Sequence, residues 1–303
     1  MTTLLLTLPG VAVWLVIRWS FEPVDAMRDL MQQRKPFDLM PLRQEKIPSE
    51  VQTLVDSFNR ILEQLNSAIQ AERRFIADAA HELRTPLALL AANAQVALRA
   101  ETRQEREAAL RRLSTGVERS ARLSEQLLDL AQLDSAEHVA AHPTVNISDL
   151  VMMVVRDFES TARQNNQTIA LNAETASICG NTDELGILLR NLLDNALRYS
   201  GTGSHIAVSC VNALRSGAAC VCVTVEDNGP GVPEASRDRI FDRFYRIAGS
   251  GQTGSGIGLS LVARIVASHH AQIEVGPGPD NRGFRVTVYF AVARDPDPHN
   301  AAG

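Results

Sequence analysis

Apolar residues recur every three or four positions along the first half of the chain, a spacing typical of helices that bury one face. The pattern is regular between residues 51 and 65, and helical sequence then continues to about Arg99. After polar residues at 101–104 it resumes and reaches about Leu133. The second stretch carries an apolar stripe made of Leu110, Leu113, Val117, Leu123, Leu127 and Leu130. This periodicity predicts two long helices that form a hairpin.

A single hairpin leaves part of each apolar stripe uncovered. Two hairpins side by side make a four-helix bundle, which buries both stripes. We therefore expect the chain to form a homodimer. Long helices rich in Arg and Glu are also typical of a plain coiled coil, but the polar break at 101–104 favours the hairpin.

The second half of the chain alternates between helical and strand-like runs. A linker is predicted over 135–145, and residues 146–292 are expected to form an α/β sandwich with helices on one face of a sheet. Ser148 is placed to cap a helix that begins at Asp149. An apolar helical face consists of Leu185, Leu188, Leu189, Leu192, Leu193 and Ala196. The predicted strands are 206–211, 221–226, 273–275 and 284–290.

Both ends of the chain depart from this pattern. Residues 4–17 are almost wholly apolar, and basic residues follow them but do not precede them. This predicts a membrane segment over 1–18, with the rest of the chain in the cytoplasm. A signal peptide carries its basic residues first, whereas a buried core helix remains an open alternative. Residues 293–303, which contain two prolines, are expected to be a disordered tail.

Charge and cysteine usage narrow the class of function. The net charge of −5, with no strongly basic domain, argues against direct binding of nucleic acid. The cysteines are Cys179, Cys210, Cys220 and Cys222. They lack the paired spacing of a zinc site and are predicted to be reduced core residues, as in a cytosolic compartment. A metal or redox role for the last two is disfavoured, because a strand places both on one face without partner ligands.

The candidate chemistry begins on the first predicted helix, in the string FIADAAHELRTPL at 75–87. An imidazole is a good nucleophile near neutral pH, and attack on phosphorus needs one ring nitrogen free and the other held. Glu82 is placed to accept a hydrogen bond from the second nitrogen of His81, or to take up its proton. A lone His on a charged helix is more often a plain surface residue. The HExxH zinc motif fails, because its second His is replaced by Thr85.

The string around His81 resembles the H-box of histidine kinases. The resemblance implies that His81 accepts a phosphoryl group and that Glu82 is its acid–base partner. It also implies that Thr85 orients a water molecule for the dephosphorylation of a partner protein.

A second polar pattern lies within 188–200. Asn191, Asn195 and Arg198 fall at i, i+4 and i+7, and therefore form one polar line on an otherwise apolar helix. Amide oxygens and a cation on one line can hold Mg²⁺ and a triphosphate together. The segment resembles the N-box of the GHKL ATPase superfamily, which implies that Asn191 and Asn195 bind Mg²⁺ while Arg198 and Tyr199 approach the nucleotide. Helix capping is a common role for Asn, but this pair lies within the helix.

A first glycine motif follows the strand predicted over 221–226. The carboxylate of Asp227 can accept a hydrogen bond from the exocyclic amine of adenine, and Gly229 and Gly231 let the backbone pass close to the ring. Taken alone, this motif also fits an ordinary turn.

A second glycine motif consists of Gly254, Gly256 and Gly258, followed by Leu259 in a predicted helix. Backbone amides ahead of a helix bind phosphate groups. A Rossmann site is the alternative, but it requires the glycines directly after a strand and an acidic residue about 20 positions later.

Aromatic residues at 241, 244 and 245 lie between the two glycine motifs, and a Gly/Ser-rich run at 248–251 follows them. This pattern predicts a lid that is anchored at one end and mobile at the other. The segment resembles the F-box of the same kinases, which implies that Arg246, and less so Arg243, contacts the γ-phosphate.

The order of these motifs resembles a bacterial sensor histidine kinase, and the similarity covers residues 72–292. It implies a multidomain chain with a dimerisation and phosphotransfer domain at 72–134 and an ATP-binding domain of the Bergerat fold at 146–292. It also implies ATP and Mg²⁺ as cofactors and the receiver domain of a response regulator as partner. The implied activity is transfer of phosphate from ATP to His81 and onward to an Asp of the regulator.

Residues 19–71 resemble a HAMP linker, with Pro23 and Glu50 at its two most recognisable positions. Together with the membrane segment, this implies a location at the bacterial inner membrane with the catalytic domains in the cytoplasm. Two other functions stay open. A phosphatase or scaffold without ATP turnover is disfavoured by undamaged motifs, and a GHKL ATPase of the chaperone or DNA-repair type would not need the His81 motif.

Overall fold

The computed structural model describes residues 14, 39–42, 49–135, 143–215, 217–247 and 254–293. Contacts divide the chain into two compact units, 1–80 and 81–303. The predicted membrane segment lies almost wholly outside the described residues, as do about half of the predicted HAMP-like linker and nearly all of the predicted tail. Within the described ranges, every helix is too short or too polar to span a lipid bilayer.

The described part of the first unit is organised around helix α1, Ser49–Arg99. The side chain of Asn59 holds the backbone of Leu42 in both directions. The Leu42 N–H donates to Asn59 Oδ1 at 2.7 Å, and Asn59 Nδ2 donates to the Leu42 carbonyl at 3.2 Å. Leu42, Val55 and Leu62 are buried in this unit. The amide therefore fixes the extended segment beside the helix.

Helix α1 continues across residue 80 into the second unit and ends at Arg99. With α2 (Arg103–Ser135) it forms a helical hairpin. The predicted polar break is confirmed, and Thr102 and Glu105 form a capping box at the start of α2. The Glu105 N–H donates to Thr102 Oγ1 at 3.1 Å, and the Thr102 N–H donates to Glu105 Oε2 at 3.3 Å. The apolar stripe of α2 is buried only in its second half. Leu123, Leu127 and Leu130 are buried, whereas Leu110 and Val117 are about half exposed.

An α/β domain follows the hairpin. Its helices are α3 (Ile147–Gln164), α4 (Thr182–Ser200) and α5 (Gly258–Ser268). Its strands are β1 (Thr144–Asn146), β2 (Thr168–Ala173), β3 (Ser177–Cys179), β4 (His205–Arg215), β5 (Ala218–Asp227), β6 (Gln272–Pro277) and β7 (Phe284–Ala291). Strands β1 and β3 form a small ladder, and the other five form a sheet in the order β2-β4-β5-β7-β6. Only the β2–β4 pairing in that sheet is parallel.

One face of the five-stranded sheet carries the core. Strand β5 alternates strictly over 221–227, with its odd-numbered residues buried and its even-numbered residues half-buried. Helices α3, α4 and α5 contact the sheet, and the predicted layer of helices on one face is confirmed. All four predicted strands are present as β4 to β7. Strands β1, β2 and β3 were not predicted, since β1 and β3 have three residues each and only half-buried or exposed residues occur in β2.

The prediction that Ser148 caps α3 was wrong. The cap is Asn146, whose Oδ1 accepts from the Asp149 N–H at 3.3 Å. Ser148 instead lies in the first turn and donates its hydroxyl to the same Oδ1 at 2.6 Å. Asn146 can serve as the cap because its backbone is extended where it leaves β1.

Two buried side chains fix the ends of α4, the helix that carries the N-box. At its start, His269 Nε2 accepts from the Asn181 N–H at 3.0 Å. At its end, Gln167 Nε2 donates to the carbonyls of Leu197 and Gly201, both at 2.8 Å. A helix tied at both ends by buried hydrogen bonds presents its polar line in one orientation.

The four cysteines are all unpaired, and they differ in burial. Cys210 and Cys220 are buried, as predicted, but Cys179 is exposed at the end of β3 and Cys222 is half-buried on the other face of the sheet. For these two residues the prediction of a core position was wrong. Cys179 lies at the end of a short edge strand and Cys222 lies on the face opposite the core, so both side chains are accessible.

We expect the exposed thiol of Cys179 to react much faster than the buried thiol of Cys210. The side chain of Cys210 is fully enclosed. This burial raises the pKa of its thiol to about 11, so the reactive thiolate is scarce at pH 8. Labelling the folded chain with a thiol reagent should modify Cys179 within minutes and leave Cys210 intact until denaturant is added. Peptide mapping by mass spectrometry measures both, and rapid labelling of Cys210 in the folded chain would contradict the expectation.

Candidate functional site

A cavity of about 670 Å³ opens in the α/β domain between α4, β5 and the start of α5. A space of this size accommodates a nucleotide-sized ligand. Ten predicted site residues line it, namely Asn195, Arg198, Tyr199, Asp227, Gly231, Arg246, Gly254, Gly256, Gly258 and Leu259. Residues separated by up to 64 positions in the sequence are therefore brought together around one space. The other two, Asn191 and Gly229, do not line it but lie next to residues that do, Gly258 and Asp227 respectively.

Asp227 supplies a buried carboxyl group at the end of β5. It is 5% exposed, and its Oδ1 accepts from the Gly229 N–H at 2.8 Å. Burial raises the pKa of Asp227, although hydrogen bonds from the Gly229 and Phe284 backbone N–H groups oppose the rise. A carboxyl group held in this way can accept a hydrogen bond from an amine that enters the cavity.

Gly229 and Gly231 are glycines because the backbone around Asp227 is crowded. A Cβ atom at Gly229 would lie 2.5 Å from the Cα of Ser200. At Gly231, where φ is 76°, it would lie 2.5 Å from the Gly283 carbonyl oxygen. The glycines therefore allow a close approach to the backbone of Ser200 and Gly283, and the predicted approach to an adenine ring stays a prediction.

The polar line on α4 is present as predicted. Asn191 donates its Nδ2 to the Ile187 carbonyl at 2.8 Å, which leaves its Oδ1 pointing away from the helix axis. Among the described residues, the buried Nδ2 of Asn195 has no hydrogen-bond partner. Arg198 donates to Asp194 Oδ2 at 2.7 Å, so its guanidinium is held along the same helix. The line thus combines two amides and one positioned cation.

The first residue of α5 faces this line. A Cβ atom at Gly258 would lie 2.9 Å from Asn191 Oδ1 and 3.6 Å from Asn195 Nδ2. Ile257 stands at the cap position and no side chain of the described residues caps the helix there. The start of α5, whose first backbone N–H groups have no helical partner, therefore lies against the two amides.

The segment before α5 is joined to the predicted F-box. Gly256 has φ of 69°, and its carbonyl accepts from the Phe244 N–H at 2.9 Å. A Cβ atom at Gly254 would lie 2.6 Å from Tyr199 Oη. Arg246 lines the cavity, whereas Arg243 does not. The predicted mobile part of the lid, 248–251, lies outside the described residues.

His81, Glu82 and Thr85 lie on α1, and none of the described residues of that helix lines the cavity. His81 and Thr85 are exposed and lie one turn apart, and Glu82 is half-buried. Pro86 lies inside the helix and has no backbone N–H, so the carbonyl of Glu82 loses its usual helical partner. The imidazole is therefore open to an incoming group on the surface of the hairpin.

Sequence reasoning missed one polar side chain of α2 that lines the cavity and a second one beside it. Gln126 lines it from α2, where its Nε2 donates to Asn191 Oδ1 at 3.3 Å and its Oε1 accepts from Ser255 Oγ at 2.7 Å. Arg122, one turn earlier, lies 3.5 Å from Asp194. Neither belongs to a motif, and nothing in the spacing of α2 distinguishes them from other surface residues.

Two family models match this chain. Residues 71–136 match the His Kinase A (phospho-acceptor) domain, and residues 180–294 match the histidine kinase-, DNA gyrase B- and HSP90-like ATPase. The chain belongs to the histidine kinases. The first match contains His81 and the second contains every predicted nucleotide-binding residue, so both halves of the predicted family are confirmed. The predicted fold class, a helical hairpin followed by an α/β ATPase domain, is confirmed with it.

Curated relatives of this histidine kinase chain are bacterial sensor proteins. The sensor protein kinase PmrB of Pseudomonas aeruginosa is 38% identical over 290 residues, which cover 95% of this chain and 60% of the relative. The sensor protein QseC of Escherichia coli is 39% identical over 269 residues, which cover 88% of this chain and 58% of the relative. The chain therefore spans about three fifths of the length of the relatives that it matches.

A solved structure shows the same fold. The histidine kinase AdeS of Acinetobacter baumannii superimposes with a TM-score of 0.52 at 20% identity. The match covers 71% of this chain and 98% of AdeS. At this identity the likeness shows the fold alone and assigns no role to single residues.

Proposed function

We propose that this chain transfers the γ-phosphate of ATP to His81 and then passes it to an Asp of a response regulator. The observation that supports this most is that the start of α5 lies against Asn191 and Asn195 in a cavity that the buried carboxyl of Asp227 also lines. One end of the cavity offers an acceptor for an amine, and the other offers amide oxygens and N–H groups for a metal and phosphates. ATP matches this arrangement, because it carries the amino group of adenine at one end and a metal-binding triphosphate at the other.

Each end of the cavity has a separate role in this proposal. Asp227 accepts a hydrogen bond from the amino group of adenine. Arg198 and Arg246 neutralise phosphate charge, and the N–H groups at the start of α5 bind phosphate oxygens. Tyr199 packs beside the glycine motif at Gly254 and limits the width of the cavity.

The residues also fit Mg²⁺. Asn191 Oδ1 lies beside the start of α5, and the Asn195 amide lies there too. The buried Nδ2 of Asn195 makes no hydrogen bond among the described residues, so turning the amide to present its oxygen to a metal breaks no bond at that nitrogen. Uncharged amide oxygens are hard ligands of the kind that Mg²⁺ accepts together with phosphate oxygens. When bound, the metal would neutralise charge on the phosphates and orient the terminal one.

The reaction requires a rearrangement of the two domains, because His81 is not at the cavity. We assign this rearrangement to the linker predicted over 135–145. One imidazole nitrogen of His81 forms a bond to the γ-phosphorus as the bond from that phosphorus to the bridging oxygen breaks and ADP leaves. Glu82 accepts the proton from the other ring nitrogen. Transfer to the regulator then breaks the phosphorus–nitrogen bond and forms a bond to a carboxylate oxygen.

Thr85 supports a second reaction at the same surface. Its exposed hydroxyl lies one turn from His81, where it can orient a water molecule toward the phosphorylated Asp of a docked regulator. This step would return the regulator to its unphosphorylated form.

We also propose a homodimer that is held by the hairpin and anchored at a bacterial membrane. Large apolar side chains on both helices are exposed in one copy, namely Ile76, Leu87, Leu89, Val96, Leu98, Leu110, Val117 and Leu128. A second hairpin would bury this surface in a four-helix bundle. The membrane anchor and the HAMP-like linker rest on the sequence of residues 1–71.

The test is incubation of the full chain with Mg²⁺ and ATP labelled in its γ-phosphate. We expect label on the protein that is lost in acid and retained in base, as for a phosphorus–nitrogen bond, and that moves to a receiver domain on addition of the regulator. No label despite measurable binding of ATP would favour a phosphatase or scaffold. No binding of ATP would overturn the proposal.

A further inference from the structure

One face of α2 carries three polar residues at i, i+4 and i+7, namely Arg122, Gln126 and Asp129. The first two contact polar residues of α4 within the second unit, and the third lies near the charge of Arg190. Arg122 lies 3.5 Å from Asp194 Oδ1, and Gln126 donates to Asn191 Oδ1 at 3.3 Å. Burial raises the pKa of Asp129, and the nearby charge of Arg190 opposes the rise. Two side chains from a helix of the phosphoacceptor domain thus reach the residues proposed to bind the metal and the phosphates.

The side chain of Gln126 closes a bridge across the metal end of the cavity. Its Nε2 donates to the Asn191 amide on α4, and its Oε1 accepts from Ser255 Oγ at 2.7 Å, just before α5. Ser255 Oγ also accepts from the Ile257 N–H at 3.3 Å, at the start of the phosphate-binding turn. The amide therefore joins the two elements between which the triphosphate would lie.

Mg²⁺ and the Gln126 amide compete for one oxygen. An N–H donor directs its positive end at Asn191 Oδ1, and a divalent cation on the same oxygen would bring two positive groups together. Ligand entry would also draw Arg198 toward phosphate and away from Asp194, which Arg122 shares. The ligand therefore weakens the contact of Gln126, whereas Arg122 keeps Asp194 as its partner.

Apolar packing holds α2 in place when these contacts are made. Leu123, Leu127 and Leu130 of α2 are buried, and α2 contacts α5. This packing does not depend on the ligand, whereas the bridge at Gln126 does. The bridge is therefore the part of the interface that can report whether the site is filled.

We infer that Gln126 is a latch that holds the phosphoacceptor domain on the ATPase domain and is displaced by the metal–triphosphate part of the ligand. The inference rests on the proposed function, because it takes Mg·ATP as that ligand. By linkage, a ligand that releases the latch binds more tightly when the latch is removed. The latch therefore lowers the affinity for Mg·ATP and couples its binding to the release of α2.

The test compares Gln126→Ala with Gln132→Ala, which makes the same change at an exposed position of the same helix. Calorimetry on the full chain should show that Gln126→Ala binds Mg·AMP-PNP about threefold to tenfold more tightly than the unaltered chain, since two hydrogen bonds no longer compete. Adenosine without Mg²⁺ should bind equally to all three proteins. Gln132→Ala should match the unaltered chain with both ligands.

Gln126→Glu keeps the size of the side chain and provides a second variant if alanine disturbs the fold. Glutamate cannot donate to Asn191, so this variant should also bind Mg·AMP-PNP more tightly. In the unaltered chain, hydrogen exchange of α2 over 122–130 should accelerate when Mg·AMP-PNP is added. Unchanged affinity in both Gln126 variants would overturn the latch and leave the proposed function intact, whereas a chain that binds no nucleotide would overturn both.

Discussion

Replacing His81 with glutamine should abolish incorporation of the γ-phosphate, with a loss of at least about 1,000-fold. Glutamine fits the exposed site on α1 and favours a helix, but its amide nitrogen is not nucleophilic. None of the described residues of α1 lines the nucleotide cavity, so affinity for Mg·AMP-PNP should stay within about twofold of the unaltered chain. The loss should therefore appear in the labelling assay alone.

His270→Asn is the control for the His81 variant. His270 is exposed and lies outside the cavity lining, and its φ of 50° suits asparagine. This variant should be labelled as fast as the unaltered chain. If His81→Gln were labelled at the rate of the unaltered chain, another residue would be the phosphate acceptor and the assignment of His81 would be wrong.

Replacing Asp227 with asparagine should lower the affinity for ATP by about 100-fold. The buried carboxylate accepts from an amine, whereas an amide NH₂ turned toward adenine would oppose that amine. The fold should tolerate the change, because burial raises the pKa of Asp227 and the charged form is the one that burial disfavours. Calorimetry with ATP and with adenosine should show similar losses, since the contact is to the base.

The exposed Asp238→Asn is the matched control, and it should bind both ligands as the unaltered chain does.

The affinity for ATP should also fall as the pH is lowered. Because the ionised carboxylate is the acceptor, affinity is present above the folded-state pKa of Asp227 and is lost as pH falls through it. That pKa is raised, so the loss should occur at higher pH than for an ordinary aspartate. Equal binding by Asp227→Asn would exclude the residue from base recognition.

Local patterns in the sequence were enough to predict the helical hairpin, four of the strands and most of the candidate site residues. The hairpin follows from helical periodicity, which depends only on neighbours within two turns. The strands that became β4 to β7 follow from apolar runs that line the core. The site residues were found because family motifs keep their order along the chain, and ten of the twelve predicted for the nucleotide line one cavity.

The tertiary structure decided what depends on distant partners. Strand β2 has no buried residue to mark it, and it forms because it pairs in parallel with β4. Asn146 rather than Ser148 caps α3, because the chain leaves β1 in an extended conformation. Gln126 enters the site from another domain, 65 positions from its partner Asn191. A side chain of this kind carries no local signal, since its role depends on which surfaces meet after folding.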